Sequence, residues 1–476
     1  MSDAAFDLAV IGSGGGAFAA AIRATNLGKR VVMVERATIG GTCVNTGCIP
    51  SKALLAAADA RHVALDTRFP GIVTSAGEVS MQELITGKRE LVEAMRAEKY
   101  VDLIADYGWE LHQGDTAFAG TPAEPVLQIT APNGNAETIQ AAHYLVATGS
   151  APWAPPIEGL ADVDYLTSTT AMELDAVPES LLVLGGGYVA LEQAQLFSRL
   201  GSTVTVLART RLASQEEPEA SKTLSGVFAD EGICVLRRAA VSSVRTDPAT
   251  GEIVAIVASS GGREDLRATR LLVATGRRPV TEGLNLSAVG VSVGDRDQIM
   301  VSEMLTSTNE RIWAAGDVTG HPEFVYVAAN HGALMVENAF NGAGRTVDYR
   351  HLPRVTFTTP NLAAVGMTDK QARDAGIDCE CRVLPLEYVP RALVNRDIRG
   401  FIKVVADPRT GLILGITAVA QNAGELAAAG VYILEAGMTV EQVATMWSPY
   451  LTMAEGIKIA CQSFSTDVSR LSCCAS

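Results

Sequence analysis

One pattern occurs twice in this 476-residue chain: an apolar strand, a glycine-rich turn, a helix and a second strand. In the first copy, Phe6 to Ile11 runs into Gly12-Ser13-Gly14-Gly15-Gly16-Ala17. An alanine-rich helical stretch follows to Leu27, and Arg30 to Glu35 reads as the next strand. In the second copy, Leu181 to Leu184 leads into Gly185-Gly186-Gly187-Tyr188-Val189-Ala190, a helix to Leu200 and a strand from Thr203 to Leu207. GxGxxA in that setting marks a dinucleotide-binding unit. The first glycine makes the tight turn, the second admits backbone to a pyrophosphate, and the small alanine lets helix pack on strand. The cradle residues are thus Gly12, Gly14, Gly15 and Ala17 in one copy and Gly185, Gly187 and Ala190 in the other.

The two copies differ at the end of their second strand. Glu35 lies 23 residues after Gly12, whereas the same step from Gly185 reaches Ala208, with Arg209 and Arg211 close behind. A carboxylate there accepts both hydroxyls of an adenosine ribose, so the first copy suits FAD, with Arg36 beside the acid. A missing carboxylate and nearby guanidinium groups suit a 2′-phosphate, so the second copy is expected to take NADPH. The alternative is that both arginines are solvated surface charges. Each copy closes on a similar phrase, Val146-Ala147-Thr148-Gly149 and Val273-Ala274-Thr275-Gly276, which reads as a buried strand ending in a turn and adds Thr148, Gly149 and Gly276 to the cradle.

These modules set the domain expectation: 1–150 and 281–350 as one nucleotide-binding domain in two pieces, 151–280 as the other, and 351–476 as a C-terminal α+β domain. The fold class expected from the repeated strand–turn–helix modules is α/β, and a chain this long exceeds one hydrophobic core, so two to four domains are expected. A net charge of −15 disfavours nucleic acid, whose binders cluster Lys and Arg. No apolar run resembles a membrane span of about 20 residues, so no stable membrane insertion is expected. The first strand begins at Phe6, leaving no room for a secretory leader, and a cytoplasmic location is expected.

Of the eight cysteines, close pairs in such a protein signal redox or metal chemistry more than structural stapling. Cys43 and Cys48 lie in Gly40-Gly41-Thr42-Cys43-Val44-Asn45-Thr46-Gly47-Cys48-Ile49-Pro50-Ser51-Lys52. The sequence turns alanine- and leucine-rich from Pro50, which puts Cys48 at a helix N-terminus. There the dipole and Lys52 favour a thiolate.

This segment resembles the redox-disulfide motif of the flavoprotein disulfide reductases. Ile312-Trp313-Ala314-Ala315-Gly316-Asp317 resembles their second FAD motif, which brings in Gly316 and Asp317 beside Gly41, Thr42 and Lys52 as flavin contacts. The resemblance implies that Cys48 is the sulfur against the flavin and Cys43 the outer interchange thiol. It also implies that Lys52 pairs with Glu192 near the docked nicotinamide, and that Tyr188 swings aside when NADPH enters. A homodimer is implied as well, with residues from about 351 onward at the interface and completing each site.

Members acting on organic disulfides carry a C-terminal histidine paired with a glutamate, which protonates the leaving thiolate. None of the six histidines lies beyond His351, and the corresponding stretch reads Trp447-Ser448-Pro449-Tyr450-Leu451-Thr452-Met453. The chain offers instead Cys473 and Cys474, adjacent thiols suited to a soft ion. The resemblance, carried also by Pro449-Tyr450-Leu451-Thr452 and Val389-Pro390-Arg391-Ala392-Leu393, implies that the substrate is Hg(II), captured by Cys473 and Cys474 of the partner subunit, passed by way of Tyr450 and Tyr188 to Cys43 and Cys48, and reduced to Hg(0). A related reductase of an organic disulfide or another soft electrophile is the alternative. The chain resembles a short form, starting at the flavoprotein strand without the CysxxCys domain that other members carry. Cys379 and Cys381 are expected on one face of a short strand, as metal ligands or packing thiols. Cys234 and Cys461 are expected to act as small hydrophobes.

Overall fold

The computed structural model describes residues 6–259, 261–470 and 472. The chain forms two compact units, each discontinuous in sequence. The first takes the described residues of Met1–Leu54, Gln82–Trp153 and Gly276–Val347, and the second those of Leu55–Met81, Ala154–Thr275 and Asp348–Ser476.

The first unit is built on a five-stranded parallel sheet. Its order is Ile312–Ala314, Ala141–Val146, Phe6–Ile11, Val31–Glu35 and Glu110–Gln113. The central strands are apolar on both faces because both are covered. On one face the helix Gly15–Asn26 packs so closely against the helix Val325–Asn341 that a Cβ at Gly332 would fall 2.0 Å from the Gly16 carbonyl oxygen. The alanines of the first helix and Leu334, Met335 and Val336 of the second share that core. The other face is covered by the antiparallel strands Asp115–Gly120, Pro125–Thr130 and Ala136–Ile139, through Phe118, Leu127, Ile129 and Tyr144.

The second unit holds the second parallel sheet, ordered Cys234–Arg237, Thr203–Ala208, Ser180–Leu184 and Arg270–Val273. Its helix Tyr188–Leu200 follows the glycine turn directly. A second sheet in this unit is antiparallel: Arg354–Thr356, Asn361–Gly366, Ile413–Ala420, Phe401–Ala406 and Glu380–Pro385. The helices Ala423–Glu435 and Glu455–Gln462 contribute to the core that covers it, which includes Ile402, Val404, Ile416, Leu426 and Ile457. The fold class is the one expected, two Rossmann-like modules and a C-terminal α+β domain.

Lys403 sits inside this second unit, 1% exposed, with its ammonium 2.9 Å from Glu217, 3.0 Å from Glu219 and 3.1 Å from Asp369. A buried ammonium needs such partners, because the charge is costly to remove from water. Among the described residues, no helix is long and apolar enough to cross a membrane.

Candidate active site

Both glycine turns have the backbone that the sequence pattern requires. Gly12 has φ +102° and Gly185 φ +141°, and a Cβ on either would drive into a carbonyl oxygen, Ala147 at 2.5 Å and Ala274 at 2.3 Å. Only glycine makes these turns. Ala17 and Ala190 are fully buried where helix meets strand.

The next glycines cap the helices. Gly14 precedes Gly15–Asn26 and Gly187 precedes Tyr188–Leu200, and neither helix start receives a side-chain hydrogen bond. First-turn amides have no acceptor within the helix, so a glycine-capped start directs them at whatever anion arrives. A Cβ at Gly187 would meet nothing within 4 Å, and one at Gly14 would meet only the Gly41 Cα at 3.9 Å. These two open, donor-lined cradles fit the pyrophosphates of a flavin and of a pyridine nucleotide.

Glu35 closes its strand with the carboxylate fixed on both sides. The Ser13 hydroxyl donates to it at 2.6 Å and the Ala37 amide at 2.9 Å, while the Ser13 oxygen accepts from the Gly40 amide at 3.1 Å. The acid is thus tied to the glycine turn and to the start of the cysteine segment, and Arg36 beside it is exposed. At the opposite end of the unit's motif set, Asp317 accepts from the Ser150 hydroxyl at 2.7 Å, and Arg277 donates to that same hydroxyl at 2.7 Å. Gly316 has φ +75° and its amide donates to buried His331 at 3.2 Å. Burial lowers the His331 pKa to about 4, with the charge of His321 adding to the effect, so the ring stays neutral and can accept. Thr148 donates to the Val280 carbonyl at 2.6 Å, and Gly149 and Gly276 take φ +69° and +134° at the ends of their strands.

The cysteine pair stands where a short helix meets the start of a long one. Cys43 lies in Gly41–Asn45, and Cys48 is the first residue of Cys48–Leu65. Gly47 lets the chain fold back between them, since a Cβ there would come 2.9 Å from the Thr42 carbonyl oxygen. Asn45 anchors the first helix by donating to Ile39 and Gly41, each at 2.9 Å. Both cysteines are half-buried, and neither is in a disulfide. The Cys43 thiol is held well above the usual range, first by its hydrogen bond to Cys48, then by burial and by the Cys48 charge, with Lys52 opposing. A proton on Cys43 is therefore hard to remove while Cys48 carries charge.

Tyr100 was not identified from the sequence. It lies in the π-helical turn Ala97–Val101 with its ring edge-on to Phe18, centroids 4.8 Å apart. Its phenol is pushed up by burial and by the charges of Cys43 and Cys48, which places the hydroxyl in the field of the pair. A tyrosine outside any motif carries no sequence signal of that kind.

In the second unit, Tyr188 begins its helix and donates to Glu216 at 2.7 Å. Glu192, on the same helix, accepts from the Phe357 amide at 2.9 Å. Lys52 belongs to the first unit and Glu192 to the second. Arg211 turns back on its own loop, donating to the carbonyls of Ser214, Glu216 and Glu217 at 3.0, 2.6 and 3.1 Å. Arg209 is exposed.

Tyr450 is 47% exposed in a segment where Trp447 is wholly exposed. Cys473 and Cys474 lie outside the described residues. Cys461 is buried as expected, its thiol pushed up to about 12 by burial alone. Cys234 departs from expectation: it is exposed, because its strand is the outer one of its sheet. Cys379 stands immediately ahead of the strand Glu380–Pro385, not within it.

Comparison with known proteins agrees with this geometry. Residues 352–461 match the family's dimerisation domain. The chain is 56% identical over 472 residues to a mercuric reductase of Streptomyces lividans, covering 99% of this chain and 98% of that one. It is 46% identical to a mercuric reductase of Bacillus cereus, covering 99% of this chain and 73% of the longer relative. Among solved structures, the HOCl-induced flavoprotein disulfide reductase RclA of Escherichia coli, in a Cu(II) complex, superposes with a TM-score of 0.86. The identity is 27%, covering 97% of this chain and 99% of that one. LpdA of Mycobacterium tuberculosis gives the same TM-score at 26% identity, covering 97% and 100%. With residues 6–332 matching the pyridine nucleotide-disulphide oxidoreductase description as well, the chain belongs to the pyridine nucleotide-disulphide oxidoreductase family.

Proposed function

We propose that this enzyme reduces Hg(II) to Hg(0) with NADPH as a homodimer. The observation that carries the reading is the full-length similarity to mercuric reductases. It is supported by a redox cysteine pair in a chain with no histidine beyond His351 to act as acid for an organic disulfide. FAD and NADPH, when bound in the two cradles, supply the two electrons, and the overall balance is Hg(II) and NADPH giving Hg(0), NADP⁺ and one proton.

Cys473 and Cys474 of the partner subunit take up the ion, and Cys43 and Cys48 receive it by ligand exchange. In each exchange one mercury–sulfur bond forms as another breaks, and the proton of the incoming thiol passes to the leaving thiolate. The ion is never released bare, which avoids the cost of breaking two strong bonds at once. Cys43, whose proton is held by Cys48, is the outer sulfur that gives up its proton only as the metal arrives. Once two electrons reach the ion, the neutral atom has no use for thiolate ligands and leaves both sulfurs behind. Tyr188 and Tyr450 offer hydroxyls along the transfer path, and the Tyr100 phenol lies in the field of the redox pair. With FAD bound, Glu35 and Asp317 are the carboxylates that would hold its hydroxyls, and Arg209 is the guanidinium that would meet a 2′-phosphate.

The test is NADPH oxidation measured anaerobically with Hg(II) presented as a thiol complex, and in parallel with glutathione disulfide and with lipoamide. Turnover with Hg(II) alone is expected. Turnover with a disulfide and none with Hg(II) would reverse the assignment.

A further inference from the structure

A second pair of thiols stands in the second unit, and the proposed reaction makes no use of it. The Sγ atoms of Cys379 and Cys381 are 3.8 Å apart. Both residues are half-buried and neither is in a disulfide. Cys381 lies on the outermost strand of the five-stranded sheet, opposite Val405. Cys379 precedes that strand by one residue, and residues two apart in an extended chain project to one side.

The surroundings are polar and built. Cys379 donates to the Asp369 carbonyl oxygen at 3.6 Å. Arg373, on the helix Asp369–Asp374, is held above its usual range by the charge of Asp369 first and then by those of Cys379 and Cys381, so a guanidinium faces the pair. The Asp369 carboxylate is already engaged by Lys403 at 3.1 Å and Arg373 at 3.6 Å. The side-chain donors left to a metal are therefore the two sulfurs.

That donor set selects among metals. Structural zinc takes four ligands in a tetrahedron, and calcium and magnesium take oxygen. Among the described residues, no three His, Cys, Asp or Glu side chains gather to hold a metal ion. Two sulfurs alone suit a soft cation that is satisfied by two ligands in line. With metal–sulfur bonds of about 2.3 Å, as in zinc thiolates, such an ion spans about 4.6 Å. The present separation of 3.8 Å opens to that by less than 1 Å, a small side-chain rotation. Charge agrees as well: a divalent ion replacing two thiol protons forms a neutral complex, so no net charge enters a half-buried place.

We propose that Cys379 and Cys381 form a second thiol site that chelates one soft, two-coordinate cation of the Hg(II) type through both sulfurs. Binding converts Hg(II) and two thiols to a bis-thiolate with release of two protons, and no electron is transferred. The site does not depend on the assignment of the redox pair.

The experiment uses the full-length, flavin-loaded chain with Cys43, Cys48, Cys473 and Cys474 all changed to Ala. Hg(II) is added at one equivalent per subunit with excess free cysteine, the protein is desalted, and mercury is counted against flavin. One ion per subunit is expected, with X-ray absorption showing two sulfur neighbours. Adding Cys379→Ser and Cys381→Ser is expected to lower retained mercury about tenfold or more, the loss of a two-point chelate, while Cys234→Ser leaves it unchanged. Equal retention by the serine variant, loss on Cys234→Ser, or no retention in the parent would each overturn the proposal. Flavin content and circular dichroism report folding. Should the double variant lose flavin, Cys379→Ala alone decides the matter, because a single remaining thiol cannot hold the ion against excess cysteine. In the otherwise native chain, Cys379→Ser/Cys381→Ser is expected to keep its NADPH-dependent turnover of Hg(II). Failure of the Hg(II) reaction itself would leave these binding outcomes standing.

Discussion

Tyr188 donates to Glu216 at 2.7 Å, and Arg354 donates to the two oxygens of the same carboxylate at 2.8 and 3.0 Å. The Glu216 side chain is only 1% exposed, so its charge depends on these donors. Tyr188 is also the first residue of the helix whose N-terminus forms the second cradle. The ring that the family resemblance expects to move aside for a nucleotide is fastened at its hydroxyl.

If nucleotide entry moves that ring, the hydrogen bond is lost on binding. Tyr188→Phe removes the tether in advance and is expected to tighten NADPH binding about tenfold, or about 1.4 kcal/mol, the worth of one such bond. An equilibrium titration checks it. An unchanged Kd would mean that the ring stays where it is.

The raised Cys43 thiol yields a second expectation. Its hydrogen bond to Cys48 and the Cys48 charge both favour the protonated form. Cys48→Ala removes both and leaves burial, so the Cys43 pKa falls and more thiolate is present at a given pH. Iodoacetamide should label Cys43 faster in Cys48→Ala than in the reduced parent at pH 8 to 9, as read by mass spectrometry. As for stability, a thiol raised above its unfolded value of 9.0 stabilises the fold below that pH and loses the contribution as pH rises further. The reduced parent should thus weaken above pH 9 more than the variant does.

The Lys403 ammonium, 1% exposed, is bonded to three carboxylates, of which Glu217 is equally buried while Glu219 and Asp369 are partly exposed. Lys403→Met strands them, and unfolding in urea should show a loss of about 3–5 kcal/mol at pH 7. Burial already raises the Glu217 carboxyl. Without the ammonium it protonates more readily still, so the deficit should shrink as pH falls toward 5. A constant deficit across that range would place the cost in packing and not in charge.

The two glycines of the second cradle should respond differently to alanine. Gly187 has extended backbone and open space around its missing Cβ, so Gly187→Ala keeps fold and flavin but crowds the pyrophosphate, raising the KM for NADPH about tenfold. Gly185→Ala forces φ +141° and a 2.3 Å approach to a carbonyl oxygen, costing about 1–3 kcal/mol of stability. Thermal melts alongside steady-state kinetics separate the two effects.

Much of the site was legible because its signals are local. The strand Phe6–Ile11, the helix Gly15–Asn26 and the positive φ of Gly12 are written in contiguous residues, since glycine alone tolerates that backbone and the apolar run needs cover. The placement of Cys48 at a helix start follows in the same way from the composition around it. Arg211 looked equally available beside Arg209, yet it spends its donors on its own loop, a choice made by the path of residues 211–217.

By itself, the sequence determined the two nucleotide modules, the reducible cysteine pair and the lack of a C-terminal histidine, because each is a matter of residue type at short spacing. Only the tertiary structure decided that Tyr100 lies in the field of that pair and that Lys403 binds three acids from two distant segments. Those relations join residues through packing and burial, and no local backbone preference encodes which distant side chain a buried charge or thiol will meet.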